Sequence, residues 1–267
     1  MSKVVLITGG SSGIGKSIGE FLHQKGFIVY GTSRNPEKVL NSIFPLVALD
    51  VRDVESIHLA VAQIIQTTGR LDVVINNAGV GITGPLEEIP MEEIKNNFDT
   101  NFFGPIAVMK AVLPQMRQQK SGLIVNVTSI AGYMGLPYRS VYSASKGALE
   151  LITEALRMEV KSFGIQITNI ALGDFATNIA AGRFHAPIIQ GSDYERAYGS
   201  ILKTMDANVD SGSNPNEMAE AVFQIIQDNN PRIHYKVGAF MQKFSIVLKR
   251  ILPDTVYEKM LMNHYKL

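Results

Sequence analysis

The chain has 267 residues, a formal net charge of +1, 46% hydrophobic residues and no cysteine. So small a charge gives no bulk field favouring nucleic acid, and the lack of cysteine excludes disulfides, thiolate zinc sites and a cysteine nucleophile. The histidines (His23, His58, His185, His234 and His264) lie far apart without metal-ligand spacing, so no metal site is expected.

In chain order, β-branched runs at 3–8, 27–32, 46–49, 72–76, 122–128, 165–171 and 233–237 read as strands. Segments of helical period lie between them, at 14–25, 53–68, 91–118, 141–163 and 214–229. The alternation predicts an α/β fold: a doubly wound, seven-stranded parallel sheet with helices on both faces. Strands such as "VVLI" and "LIVNV" are apolar throughout, as expected when helices cover both faces. No linker or repeat divides the chain, so 1–238 reads as one domain. Within it, 174–213 is a long insertion expected to form a substrate loop, and 239–267 is an amphipathic extension of the same domain.

The first strand runs into "TGGSSGIG", residues 8–15, ahead of the first helix. Glycines at a strand-to-helix switch let backbone N–H groups approach a pyrophosphate at the positive end of the helix dipole. Gly9, Ser11, Ser12, Gly13, Ile14 and Gly15 are therefore candidate phosphate and ribose contacts. The second strand ends with Ser33, Arg34 and Asn35 and carries no carboxylate. An acid there would select NAD by bonding the ribose 2′-hydroxyl, whereas a guanidinium suits a 2′-phosphate, so NADP(H) is expected. Asp50 and Val51 could bracket the adenine, although Asp50 could equally cap the next helix.

Further along come "NNAG" (76–79), "TNFFG" (100–104), "NVTSIAG" (126–132) and "YSASK" (142–146). Tyr142 and Lys146 stand one helical turn apart on one face, so the ammonium favours the phenolate and tunes the phenol for acid–base work. Ser129 ends an apolar strand, where ligands meet an open α/β sheet. Pro105 lacks an N–H and is expected to break the 91–118 helix locally.

From residue 3 to about 237 the sequence resembles the short-chain dehydrogenase/reductase family, a single Rossmann domain. "TGGSSGIG" fits that family's T-G-x-x-x-G-x-G, and Asn76-Asn77-Ala78-Gly79 fits its N-N-A-G. The resemblance implies catalytic roles for Asn101, Ser129, Tyr142 and Lys146. Tyr142 would protonate the carbonyl oxygen as hydride leaves the nicotinamide, and Ser129 would polarise that oxygen. Lys146 would lower the phenol's pKa and hold the ribose, and Asn101 would hold a water that relays protons to Lys146. Asn77, Ala78, Gly79, Gly173 and Thr177 complete the implied cofactor contacts. Leu172 stands where the family carries proline, which puts the path of the following loop in question.

Ser129, Met134, Tyr142, Phe175 and Phe184 are expected to contact the substrate, and their largely apolar character suits a steroid-, retinoid- or lipid-like ketone or alcohol. A 3-oxoacyl-carrier-protein reductase shares every motif and is the alternative enzyme. A non-catalytic NADP-binding regulatory protein is the alternative of another class, disfavoured because all four catalytic positions are filled. A homodimer or homotetramer is implied by the resemblance. In the extension, Phe240, Phe244, Val247, Leu248 and Ile251 share a helical stripe. Packing on its own domain or a sister subunit is the favoured reading, with contact to a membrane surface as the alternative. The opening "MSKVVLITGG" is too short for a secretory signal, and no apolar run nears the roughly 20 residues that span a bilayer. A soluble cytoplasmic protein is expected.

Overall fold

The computed structural model describes residues 2–173, 182–210 and 214–267. In chain order the main strands are β1 (Val4–Ile7), β2 (Ile28–Ser33), β3 (Leu46–Ala48) and β4 (Val73–Asn76). They continue with β5 (Ile82–Thr83), β6 (Gly122–Ser129), β7 (Ile165–Leu172), β8 (Phe184–His185) and β9 (His234–Val237). The α-helices are α1 (Gly13–Gln24), α2 (Val54–Thr68), α3 (Met91–Phe98), α4 (Gly104–Gln119) and α5 (Ser140–Glu159). After them come α6 (Glu195–Asp210), α7 (Pro215–Gln227), α8 (Phe240–Ile251) and α9 (Asp254–Tyr265).

Seven strands form one sheet in the order β3-β2-β1-β4-β6-β7-β9, all pairs parallel. Both faces of each central strand are buried, which explains their unbroken apolar sequences. Val5, Ile7, Val73, Ile75 and Val125 meet α1 and α7 on one face. Val4, Leu6, Val74 and Ile124 meet α2, α4 and α5 on the other. Each such side chain taken fully out of water contributes about 1.5–3 kcal/mol. Chain order reverses between β1 and β4, so the strand-end loops on either side splay apart and leave a crevice at their carboxyl ends.

Three elements differ from the sequence expectation. The helix expected over 91–118 is α3 and α4 joined by a widened π turn, Asp99–Phe103, with Pro105 in the first turn of α4. Proline thus opens the second helix, where a missing N–H costs least. The helix expected to reach 163 ends at Glu159 and is followed by a 3₁₀ turn. The described part of the 174–213 insertion is ordered into β8, which pairs with β5, and α6. Tyr198 of α6 anchors it: the ring is buried and its hydroxyl donates to the Ala186 carbonyl at 3.0 Å.

The C-terminal helices α8 and α9 pack with Ile130, Met134 and Ala171 through Ile246 and Tyr257. Among the described residues no helix is long and apolar enough to cross a membrane.

Candidate active site

The turn between β1 and α1 is shaped by its glycines. Gly9 and Gly13 have φ of 65° and 53°, the left-handed region that a Cβ disfavours. Gly15 allows a close approach, since a Cβ there would lie 2.5 Å from Asn77 Nδ2. Asn77 ties the turn to the end of β4, its Nδ2 donating to the carbonyls of Thr8 at 2.9 Å and Gly9 at 3.3 Å. The Thr8 hydroxyl accepts from the N–H groups of Asn77 and Ala78, each at 3.0 Å. Gly9 N–H in turn donates to Thr32 Oγ1 at 3.2 Å, which joins the turn to β2. Ser12 precedes α1 in extended conformation without a side-chain capping bond, and the first turn of α1 carries no acid. Uncapped amides and a helix dipole free of opposing charge suit this end to an anion.

A cleft of about 570 Å³ opens along the crevice. Ser11, Ser12, Gly13, Ile14, Ser33, Arg34, Asn35, Asp50, Val51, Asn77, Ala78, Gly79 and Phe184 all line it, so most of the expected cofactor contacts converge there. Arg34 is exposed, and Ser33 Oγ accepts from the Asn35 N–H at 3.2 Å. Asp50 is engaged by Arg52, with Nη2 to Oδ2 at 2.9 Å and Nε to Oδ1 at 3.2 Å. That guanidinium holds the Asp50 carboxyl below its ordinary range. Asp50 does not cap α2; Asp53 does, accepting from the N–H groups of Glu55 and Ser56 at 3.0 and 3.3 Å. Proximity decides this, because Asp53 immediately precedes the helix.

Beyond the phosphate end, α5 carries Tyr142 and Lys146 on one face. Lys146 is buried, and its Nζ donates to the Val127 carbonyl of β6 at 3.0 Å. Burial lowers its pKa to about 8, a fall that the nearby Glu150 carboxylate opposes. Ser129, two residues further along β6, accepts from Ala131 N–H at 3.2 Å and donates to the Leu172 carbonyl at 3.4 Å. Asn101 sits in the π turn and is fully buried. Its Oδ1 accepts from Val80 N–H at 2.9 Å, and its Nδ2 donates to the Val80 carbonyl at 2.8 Å and to Ser145 Oγ at 3.3 Å. The amide therefore clamps the turn after Gly79 onto α5. A Cβ at Gly79 would lie 3.3 Å from Lys146 Nζ, so Asn101, Gly79 and Lys146 form one contiguous group.

A short chain dehydrogenase model matches residues 3–187. The chain belongs to the short-chain dehydrogenase family. It is 40% identical over 264 residues to a 3-ketodihydrosphingosine reductase of Bacteroides thetaiotaomicron, covering 98% of each chain. A short-chain dehydrogenase of Streptomyces avermitilis superposes with a TM-score of 0.85 at 29% identity, over 100% of this chain and 97% of that one. A Burkholderia cenocepacia short chain dehydrogenase in complex with NADP shares the fold, with a TM-score of 0.77 at 22% identity over 97% and 98% of the two chains.

On the expected substrate side, Met134 has partners of its own. The residue is buried under the C-terminal helices, its sulfur accepting from Tyr257 Oη at 2.7 Å. It packs with the α8–α9 cap and, like Ser129 and Tyr142, is not among the residues lining the cleft of about 570 Å³. Phe184 does line the cleft, from β8. Gly173 extends the ladder by donating to the Val237 carbonyl at 2.8 Å. Phe175 and Thr177 lie outside the described residues.

The sequence reading missed Glu150. It stands one turn beyond Lys146, is buried, and accepts from Thr128 Oγ1 at 2.6 Å. Burial raises its pKa. His234 of β9 lies 3.5 Å from Glu150 and 3.0 Å from Glu154, bridging the buried carboxylate to the surface. The helical spacing 142, 146, 150, 154 would have revealed this line of ionisable groups.

Proposed function

We propose that the chain is an NADP(H)-dependent reductase of an apolar, lipid-like ketone, with the reverse alcohol oxidation open to the same site. One observation carries the chemistry: Tyr142 and Lys146 share a face of α5, and the Lys146 ammonium is held buried against β6 just before Ser129. When bound, the nicotinamide supplies the hydride.

The chain's own residues do the rest. Tyr142 donates its phenolic proton to the carbonyl oxygen, and Ser129 donates a hydrogen bond to the same atom, stabilising the charge that develops there. Lys146 favours the phenolate electrostatically and would hold the ribose of a bound cofactor. Asn101 is a positioning residue, holding the Gly79–Val80 turn against α5. The glycine cradle, the uncapped α1 terminus and Asn77 fit a pyrophosphate, and Arg34 fits a 2′-phosphate through charge-assisted hydrogen bonds.

The substrate class is supported by Phe184 lining the cleft and by the relative that, as its name states, reduces 3-ketodihydrosphingosine and matches across nearly the whole chain. NADPH oxidation against 3-ketodihydrosphingosine, a steroid ketone, a short 2-ketone and an acyl thioester tests the reading. Preference for the long-chain ketone is expected. Turnover confined to the thioester would overturn it in favour of the acyl-carrier reaction.

A further inference from the structure

Helix α8 faces two ways. Ile246 is 1% exposed and packs with Tyr257 and Met134, while Leu248 and Leu252 border the same cluster. On the other side Phe240, Phe244, Val247 and Ile251 are 71%, 38%, 45% and 68% exposed. These four recur at helical spacing and form a continuous apolar stripe, with the rings of Phe240 and Phe244 stacked 5.8 Å apart. Four large apolar side chains left in line on one helix are a cost that a soluble surface avoids.

Charge indicates what covers the stripe. The helix holds Lys243, Lys249 and Arg250 and no acid. Lys249 is engaged with Asp254 at 2.8 Å, while Lys243 and Arg250 lie seven residues apart along one flank of the stripe. From 236 to 267 the chain carries Lys236, Lys243, Lys249, Arg250, Lys259 and Lys266 against Asp254 and Glu258. The chain as a whole is only +1, so this end is basic and the remainder is acidic. A second copy of α8 laid against the first would bring cations against cations. An anionic bilayer satisfies the apolar stripe and the flanking charge together.

We infer that α8 is an interfacial membrane-binding helix, with Phe240, Phe244, Val247 and Ile251 entering the headgroup–acyl boundary of an anionic bilayer and Lys243 and Arg250 on its phosphates. The inference stands on the helix face and does not depend on the substrate reading.

The test is co-sedimentation of the full chain with vesicles of equal parts phosphatidylglycerol and phosphatidylcholine, beside vesicles of phosphatidylcholine alone. The expected result is binding to the anionic vesicles that weakens with salt. It should fall roughly tenfold or more in Lys243→Gln/Arg250→Gln. In Phe240→Ser/Ile251→Ser it should fall to background, with both variants keeping the parent's circular dichroism and melting temperature. Absence of binding by the parent, or undiminished binding by both variants, would overturn the inference. A drop in oligomer size on gel filtration of the serine variant, without loss of vesicle binding, would overturn it too and assign the stripe to a second copy.

Discussion

Lys146 donates from Nζ to the Val127 carbonyl at 3.0 Å, which fastens the middle of α5 to β6 two residues before Ser129. The contact fixes the side chain that follows Tyr142 by one helical turn in a buried setting. A buried ammonium costs free energy, and its pKa of about 8 records that cost.

This gives a pH dependence with a definite sign. Between about 8 and the ordinary lysine value of 10.5, the unfolded chain holds a proton that the folded chain has released. Lys146 therefore makes stability rise with pH across that window. Ketone reduction needs the protonated site, so NADPH oxidation should fall as pH rises through about 8. Glu150 raises the Lys146 pKa, so Glu150→Gln should move the break in the pH–rate profile to lower pH. A variant profile superimposable on the parent's would remove Glu150 from the account. A purely structural role would lower the melting temperature without moving the break.

Gly15 is expected to tolerate no side chain. In Gly15→Ala the new Cβ would meet Asn77 Nδ2 at 2.5 Å and force apart the bonds that Asn77 makes to Thr8 and Gly9. Breaking a buried network of this kind costs about 1–3 kcal/mol. NADPH affinity, followed by fluorescence titration, should fall at least tenfold with a lower melting temperature. Unchanged affinity would show that the turn is not the phosphate cradle.

Cofactor choice is assigned to the end of β2. Ser33→Asp with Arg34→Ala should reverse the preference, since the new carboxylate can bond a ribose 2′-hydroxyl and repels a 2′-phosphate. A change of about tenfold to a hundredfold in the ratio of kcat/KM for NADPH and NADH is expected from loss of a charge-assisted contact. An unaltered ratio would refute the Arg34 assignment.

Much of this was legible in the sequence because it is local. Strands covered on both faces read as apolar runs, and the glycine spacing in "TGGSSGIG" marks a turn in which Gly9 and Gly13 take positive φ. The pairing of Tyr142 with Lys146 follows from helical period. What stayed hidden depends on non-local contact. Met134 is apolar whether it lines a cleft or lies under α8 and α9, and only the cap decides between them. Asp50 and Asp53 are equally good capping residues, and which one caps α2 depends on where the helix starts. Phe240, Phe244, Val247 and Ile251 were visible as a stripe, but Leu248, read with them, packs instead with the inward cluster around Ile246, and the outward orientation of the rest was not legible.

The central claim is that Tyr142 is the acid that protonates the ketone. It is tested most directly by NADPH oxidation in Tyr142→Phe with the best ketone of the panel, alongside NADPH titration of the same variant. The account predicts a loss of about 10³-fold in kcat with cofactor affinity retained. Turnover that stays near the parent's while NADPH still binds would contradict it.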